Sequence, residues 1–181
     1  YQFGLFLNDS AVVIETKDVK ILNANDCKIA GTALSQIIRK HGQFDFALRS
    51  HSSANDRICY SVEGDSNYQA DDDLHYSKAF AYFMNAVKPK YAIPFASNHC
   101  HLHKDVYSLN PVVNDPYKLK EYILDKGLLE FSELVILLSG DYWNSETGFN
   151  TDPTNYKYFN NKELYIAEYH DRVKDTLLKF Y

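Results

Sequence analysis

The chain has 181 residues, 45% of them apolar, and a formal net charge of −5, which is enough for one substantial core and the make-up of a soluble globular protein. That charge argues against a nucleic-acid partner, since phosphate binding needs a basic stripe and none is visible. The three cysteines, Cys27, Cys59 and Cys100, form no Cys-x-x-Cys arrangement, so no disulfide framework is expected and a reducing cytoplasm is the default compartment.

No apolar run approaches the roughly 18 residues of a membrane span, and no signal-peptide core is present. Fifteen Tyr and eleven Phe suit a large core with polar margins, or a lined pocket. The chain opens "YQFGLFLND" without a lead-in and already reads as a strand. The expectation is a piece of a longer protein, with an N-terminal half as its partner.

In chain order, Gln2–Leu7, Ala11–Thr16 and Val19–Asn23 read as short strands, the first two joined by the turn-like "NDS". "GTALSQIIRKHG" (31–42) has helical apolar spacing and ends on Gly42 as a C′ glycine. "FDFALRS" (44–50) is a compact strand. "DDDLHYSKAFAYFMNAVKP" (71–89) is a helix with acidic residues at its start and Pro89 beyond its end.

"YAIPF" (91–95) is a buried-type strand, and "NDPYKLKEYILDKG" (114–127) a helix capped by Asn114 or Asp115 and stopped by Gly127. "ELVILLS" (133–139) is the most apolar strand. A polar loop (144–155) precedes a closing helix over 160–181. Strand and helix alternate from residue 19, which predicts right-handed crossovers and an α/β layered sheet in a single domain over 1–181.

Ligands of open α/β sheets sit beyond the carboxyl ends of the strands. The four segments there, "NANDCKIAG", "RSHSSANDR", "PFASNHCHLHKD" and "SGDYWN", are all polar, whereas the loops after helices carry no such clustering. A functional rim is therefore expected. Asp26, between a buried strand and a helix, is either a cap or turn aspartate or a carboxylate ligand for a metal.

His99, His101 and His103 repeat at every second position, so an extended segment would present them on one side. Neutral imidazole suits zinc, and His-x-His is a recurring ligand spacing. One segment rarely supplies three ligands, so capping, rim hydrogen bonding and solvation compete. His51 beside Ser52 and Ser53 does not make a nucleophile elbow. His51, Asp141 and Trp143 are substrate-facing candidates at best, with tight turns and a packed aromatic as the plain readings.

Taken together, "ILNANDC", "FDFALRSHSSAN", "YAIPFAS" and "VILLSGDYW" resemble the C-terminal half of metallo-β-lactamase-fold proteins over residues 3–143. Within that superfamily they look most like the CMP-N-acetylneuraminate hydroxylase branch and related bacterial metallohydrolases. The resemblance implies half of an αββα sandwich, a mixed sheet flanked by helices, with metal at one edge. It makes Asp26 the match for the family's aspartate ligand. The strict position of the last histidine ligand is Ala96 here, leaving His99 as the nearest substitute, with His101 and His103 behind it.

The family's His-x-His-x-Asp-His signature is absent, and "HCHLHKD" follows the aspartate turn instead of preceding it. The implied function is metal-dependent hydrolysis of an ester, amide, lactone or phosphodiester small-molecule substrate. Its divalent metal would be zinc, with iron or manganese as alternatives. The competing reading is a non-catalytic α/β ligand-binding or interaction module with a degenerate metal site. No catalytic residue is assigned.

Overall fold

Short runs of alternating apolar residues build a mixed sheet whose five strands lie side by side in chain order. The computed structural model describes residues 2–3, 9–52, 73–96 and 99–179. Strand β1 (Gln2–Phe3) pairs antiparallel with β2 (Asp9–Ser10) as a separate ribbon; the remainder of the first expected strand, residues 4–7, lies outside the described residues. In the main sheet β3 (Val12–Glu15) runs antiparallel to β4 (Lys20–Asn25). Then β5 (Phe46–Arg49), β6 (Tyr91–Pro94) and β7 (Glu133–Leu134) follow in parallel.

The crossovers run through α1 (Gly31–His41), α2 (Asp73–Val87) and α3 (Pro116–Lys126). Because every parallel step advances the same way across the sheet, right-handed crossovers place all three helices on one face. The register agrees. Leu22, Ala47, Ala92 and Leu134 form one row across the strands. All four are buried with Ile37, Phe80, Met84, Leu119 and Ile123 from the helices. Small residues on β5 and β6 let the helices sit close, and the rings of α2 fill the space. Truncating a fully buried ring such as Phe80 to alanine costs about 3–5 kcal/mol.

The other face carries Ile21, Phe46 and Tyr91 in the neighbouring row. A hairpin of β8 (Tyr142–Asn144) and β9 (Gly148–Asn150) covers part of it. Trp143 meets Phe46 edge-on at 5.1 Å and Phe149 meets Tyr91 edge-on at 4.8 Å. At the β3 edge this face is open, with Val12 52% and Ile14 47% exposed.

Helix ends follow the expected chemistry. Asp115 is the N-cap of α3, its carboxylate accepting from the Tyr117 and Lys118 N–H groups, and Pro116 opens the helix. Gly127 stops the helix in the left-handed conformation, at φ 58°. The start of the expected second helix, residues 71–72, falls outside the described residues.

Two expectations change. The apolar segment 133–139 pairs over only Glu133–Leu134. Val135 still donates to Ala92 O, but β6 ends at Pro94, and the Leu138 N–H is taken by the Asp141 carboxylate at 2.8 Å. The polar stretch 144–155 is not all loop, since it holds the turn and second strand of the hairpin. The closing helix expected over 160–181 is α5 (Lys162–Leu177), preceded by a short α4 (Lys157–Asn160); Asn161 lies between them and its side chain caps α5. Of the described residues of α5, Ile166 alone is buried. No helix among the described residues is long and apolar enough to cross a membrane. The class is α/β with a mixed five-stranded sheet, as the sequence predicts.

Candidate functional site

Loops leave the carboxyl ends of the four successive strands β4 to β7 along one rim. Strand order never reverses among β4 to β7, so these strands have no switch-point crevice of the kind that usually seats a ligand. Any hollow here must be made by the loops and by what packs on them. The backbone is strained at this rim. Asn25, next to Asp26, has φ 51°, and Ala96, after β6, has φ 50°. Non-glycine residues adopt this region at a cost, and such strain gathers at functional sites.

His51 lies behind the rim, two residues past the end of β5, and is 2% exposed. Neither of its ring nitrogens has a hydrogen-bond partner among the described residues. Burial pushes its pKa down to about 4; the nearby Asp115 carboxylate opposes that shift and His99 adds to it. At neutral pH the ring is therefore uncharged, with a lone pair free on one nitrogen. The backbone around it is held tightly, because Asn114 Nδ2 donates to His51 O at 2.6 Å and to Ser77 Oγ at 3.2 Å.

Beside it stands the histidine loop. The His99 and His101 rings meet edge-on at 5.3 Å. Burial lowers the His101 pKa, and His99 lowers it further. Asn110 clamps this loop: its Oδ1 accepts from the His101 N–H at 2.7 Å and its Nδ2 donates to His101 O at 2.8 Å. His103 meets Asp105, its Nδ1 accepting from the Asp105 N–H at 3.3 Å and lying 3.6 Å from the carboxylate. The triplet is thus divided, with His99 and His101 packed together and His103 in a turn of its own.

The other candidates are dispersed. Asp26 is exposed in the turn after β4 and does not cap α1, whose N-cap position is Ala30. Asp141 holds structure together: it accepts from Leu138 N at 2.8 Å, Asp152 N at 2.9 Å and Tyr156 Oη at 3.0 Å. Trp143 packs on Phe46 at the amino end of β5, the opposite end of that strand from the rim. Ser53 and the rest of "SANDR" fall outside the described residues.

Three residues around this site are not functional candidates in the sequence: Asn114 and Asp115, which read there only as alternative helix caps, and Lys162. Lys162 Nζ lies 3.3 Å from Asp115 Oδ2 and donates to Val113 O at 3.2 Å. The one sequence signal was a surplus: "NDP" offers two cap-type residues where the helix uses one. Asp115 caps, which leaves Asn114 to tie His51 to α2.

A divalent metal asks for unprotonated imidazole or carboxylate donors that converge. The buried ring of His51 suits that demand, being neutral and unpartnered among the described residues. Among those residues, however, no three His, Cys, Asp or Glu side chains gather into a set that could hold an ion. The described residues fit a contribution of one or two donors and not a complete site. No protein-family model, curated protein or solved structure matches the chain.

Proposed function

We propose that this chain contributes part of the site of a metal-dependent hydrolase of the metallo-β-lactamase-like kind, its sheet being one half of an αββα sandwich. The layering supports this. Three helices cover one face, while the other is closed by a hairpin at one side and leaves Val12 and Ile14 open at the other. A half-sandwich needs such a face to meet its second sheet.

The single observation that carries the site is His51, a buried, uncharged imidazole with both nitrogens unpartnered among the described residues. Native proteins rarely leave such groups without a purpose. His51 and His99 are the residues that would hold a metal, with Asp26 offered from the neighbouring loop. When bound, the ion supplies Lewis-acid polarisation of a carbonyl or phosphoryl group and lowers the pKa of water. Asn114 fixes the His51 backbone, and burial keeps the ring in its neutral form.

Elemental analysis of the natural full-length protein tests this. Stoichiometric zinc, iron or manganese is expected, lost in His51→Ala and reduced in Asp26→Ala. No bound metal in any of the three proteins overturns the reading. The second reading, a non-catalytic ligand-binding module, is favoured by the incomplete donor set among the described residues. Metal-free protein that binds a small ligand and hydrolyses none of a panel of esters, lactones and phosphodiesters would establish it.

A further inference from the structure

The short α4 and the long α5 both line a hollow that the sheet does not form. Between α5 and the histidine loop lies a cavity of about 410 Å3, with His99 and Cys100 on one wall and Lys162, Tyr165 and Tyr169 on the other. Tyr158, also in the lining, lies tilted against Tyr165 with ring centroids 4.3 Å apart. This volume is within the range of small-molecule sites. Aromatic faces with hydroxyl rims suit a planar ring.

The electrostatics select the charge. No carboxylate lines this cavity among the described residues, and its one lysine is Lys162. The ammonium is anchored in place by Asp115 Oδ2 and Val113 O, and its side chain is 23% exposed. An ammonium has three N–H donors, so the two anchors leave one for a ligand. Asp115 meets the ammonium through Oδ2 alone, its other oxygen, Oδ1, accepting from two backbone N–H groups of α3. A single remaining donor fits a monoanion better than a phosphate dianion.

We propose that this cavity is a binding site for a small ring-bearing carboxylate, its ring against Tyr158, Tyr165 and Tyr169 and its carboxylate on Lys162. The assignment stands under either reading of the rim, because it calls on no metal and no reaction. Its position next to His99 places the occupant at the edge of the candidate site.

Cys100 serves as a built-in reporter. It is partly exposed in the cavity lining, whereas Cys27 is 1% exposed and acts as an internal control. The full chain is treated with N-ethylmaleimide and the Cys100 peptide is followed by mass spectrometry, with benzoate as the probe and benzyl alcohol and acetate as controls. Benzoate is expected to slow Cys100 alkylation in a saturable way, and the two controls far less. Lys162→Met should weaken benzoate by about tenfold, the value of one charge-assisted hydrogen bond.

Losing Lys162 leaves Asp115 without its ion pair, so that variant could fail to fold. Tyr165→Ala, at a position 37% exposed, keeps the fold and should weaken benzoate by about threefold or more, as a lost aromatic contact does. Equal protection by benzyl alcohol, no protection by benzoate, or undiminished protection in both variants would overturn the assignment. Failure here with metal still bound in the His51 and Asp26 experiment would remove this site and leave the hydrolase reading intact.

Discussion

Two corners of the molecule bury polar side chains, and they do so in opposite ways. At the start of β8 the Asp141 carboxylate accepts from Leu138 N, Asp152 N and Tyr156 Oη. Behind the rim of β5 the imidazole of His51 is more deeply buried and makes no hydrogen bond among the described residues. The first corner is finished within the chain. The second carries a desolvation cost that no described residue offsets, because an unsatisfied buried polar group costs about 1–3 kcal/mol. Satisfaction, more than burial or residue type, separates the structural polar group from the functional candidate.

The largest effect should come from the finished corner. Asp141→Ala removes one acceptor from three donors and takes from the half-buried Tyr156 hydroxyl its carboxylate partner, leaving Ile136 O, 3.1 Å away, and the Thr151 side chain. Urea unfolding should show a loss of about 3–4 kcal/mol, given the strength of bonds to a charged acceptor and some screening at a partly exposed site. The same corner pushes the Tyr156 pKa up to about 12, through burial and then its bond to Asp141. A loss below about 1 kcal/mol would mean that the hairpin corner does not depend on this carboxylate.

The second effect separates the corners by pH. The folded pKa of His51 is depressed to about 4 from 6.5. Above pH 6.5 the ring is neutral in folded and unfolded chains alike, and no penalty arises. As the pH falls below 6.5 the unfolded chain takes up a proton that the folded chain refuses, so stability is lost progressively until about pH 4. The full loss is up to about 3 kcal/mol. Unfolding of wild type and His51→Leu, compared between pH 7 and pH 4.5, isolates it, because the carboxylates common to both proteins cancel. Parallel pH profiles would show that the ring is protonated, or hydrogen-bonded, in the folded state.

The difference between the corners also marks what was legible in the sequence. Periodicity placed α1 and α3 well, since Gly42, Pro116 and Gly127 act through local backbone chemistry that a few neighbouring residues determine. The rim was legible from composition, because polar loops after apolar strands need no long-range information. The hairpin of β8 and β9 was hidden inside a polar stretch, and what holds it down is Phe46 and Tyr91, about 50 to 100 residues earlier in the chain.

The site was legible only in part for the same reason. "RSHSS" looks like an exposed turn, and nothing in those letters says that Asn114 will pull the His51 backbone under the rim. Conversely, the even spacing of His99, His101 and His103 assumed an extended segment. Asn110 folds that loop back on itself, so spacing did not translate into a shared face. Lys162 had no local signal at all, because its role depends on α5 docking against the cap of α3.

The smallest effect is the most discriminating, because its sign is unusual. Most core substitutions destabilise, but His51→Leu replaces a buried polar ring that lacks hydrogen-bond partners among the described residues with an apolar side chain of similar size. The desolvation cost disappears and packing is largely kept, so metal-free protein at pH 7 should gain about 1 kcal/mol in urea unfolding. The same substitution should abolish the metal binding proposed above. Stability gained while binding is lost is the pattern of a group kept for function at the expense of the fold. If His51→Leu instead costs more than about 1 kcal/mol, the ring has a partner within the folded chain. His51 would then belong with Asp141 as a structural residue, and the contrast between the two corners would fail.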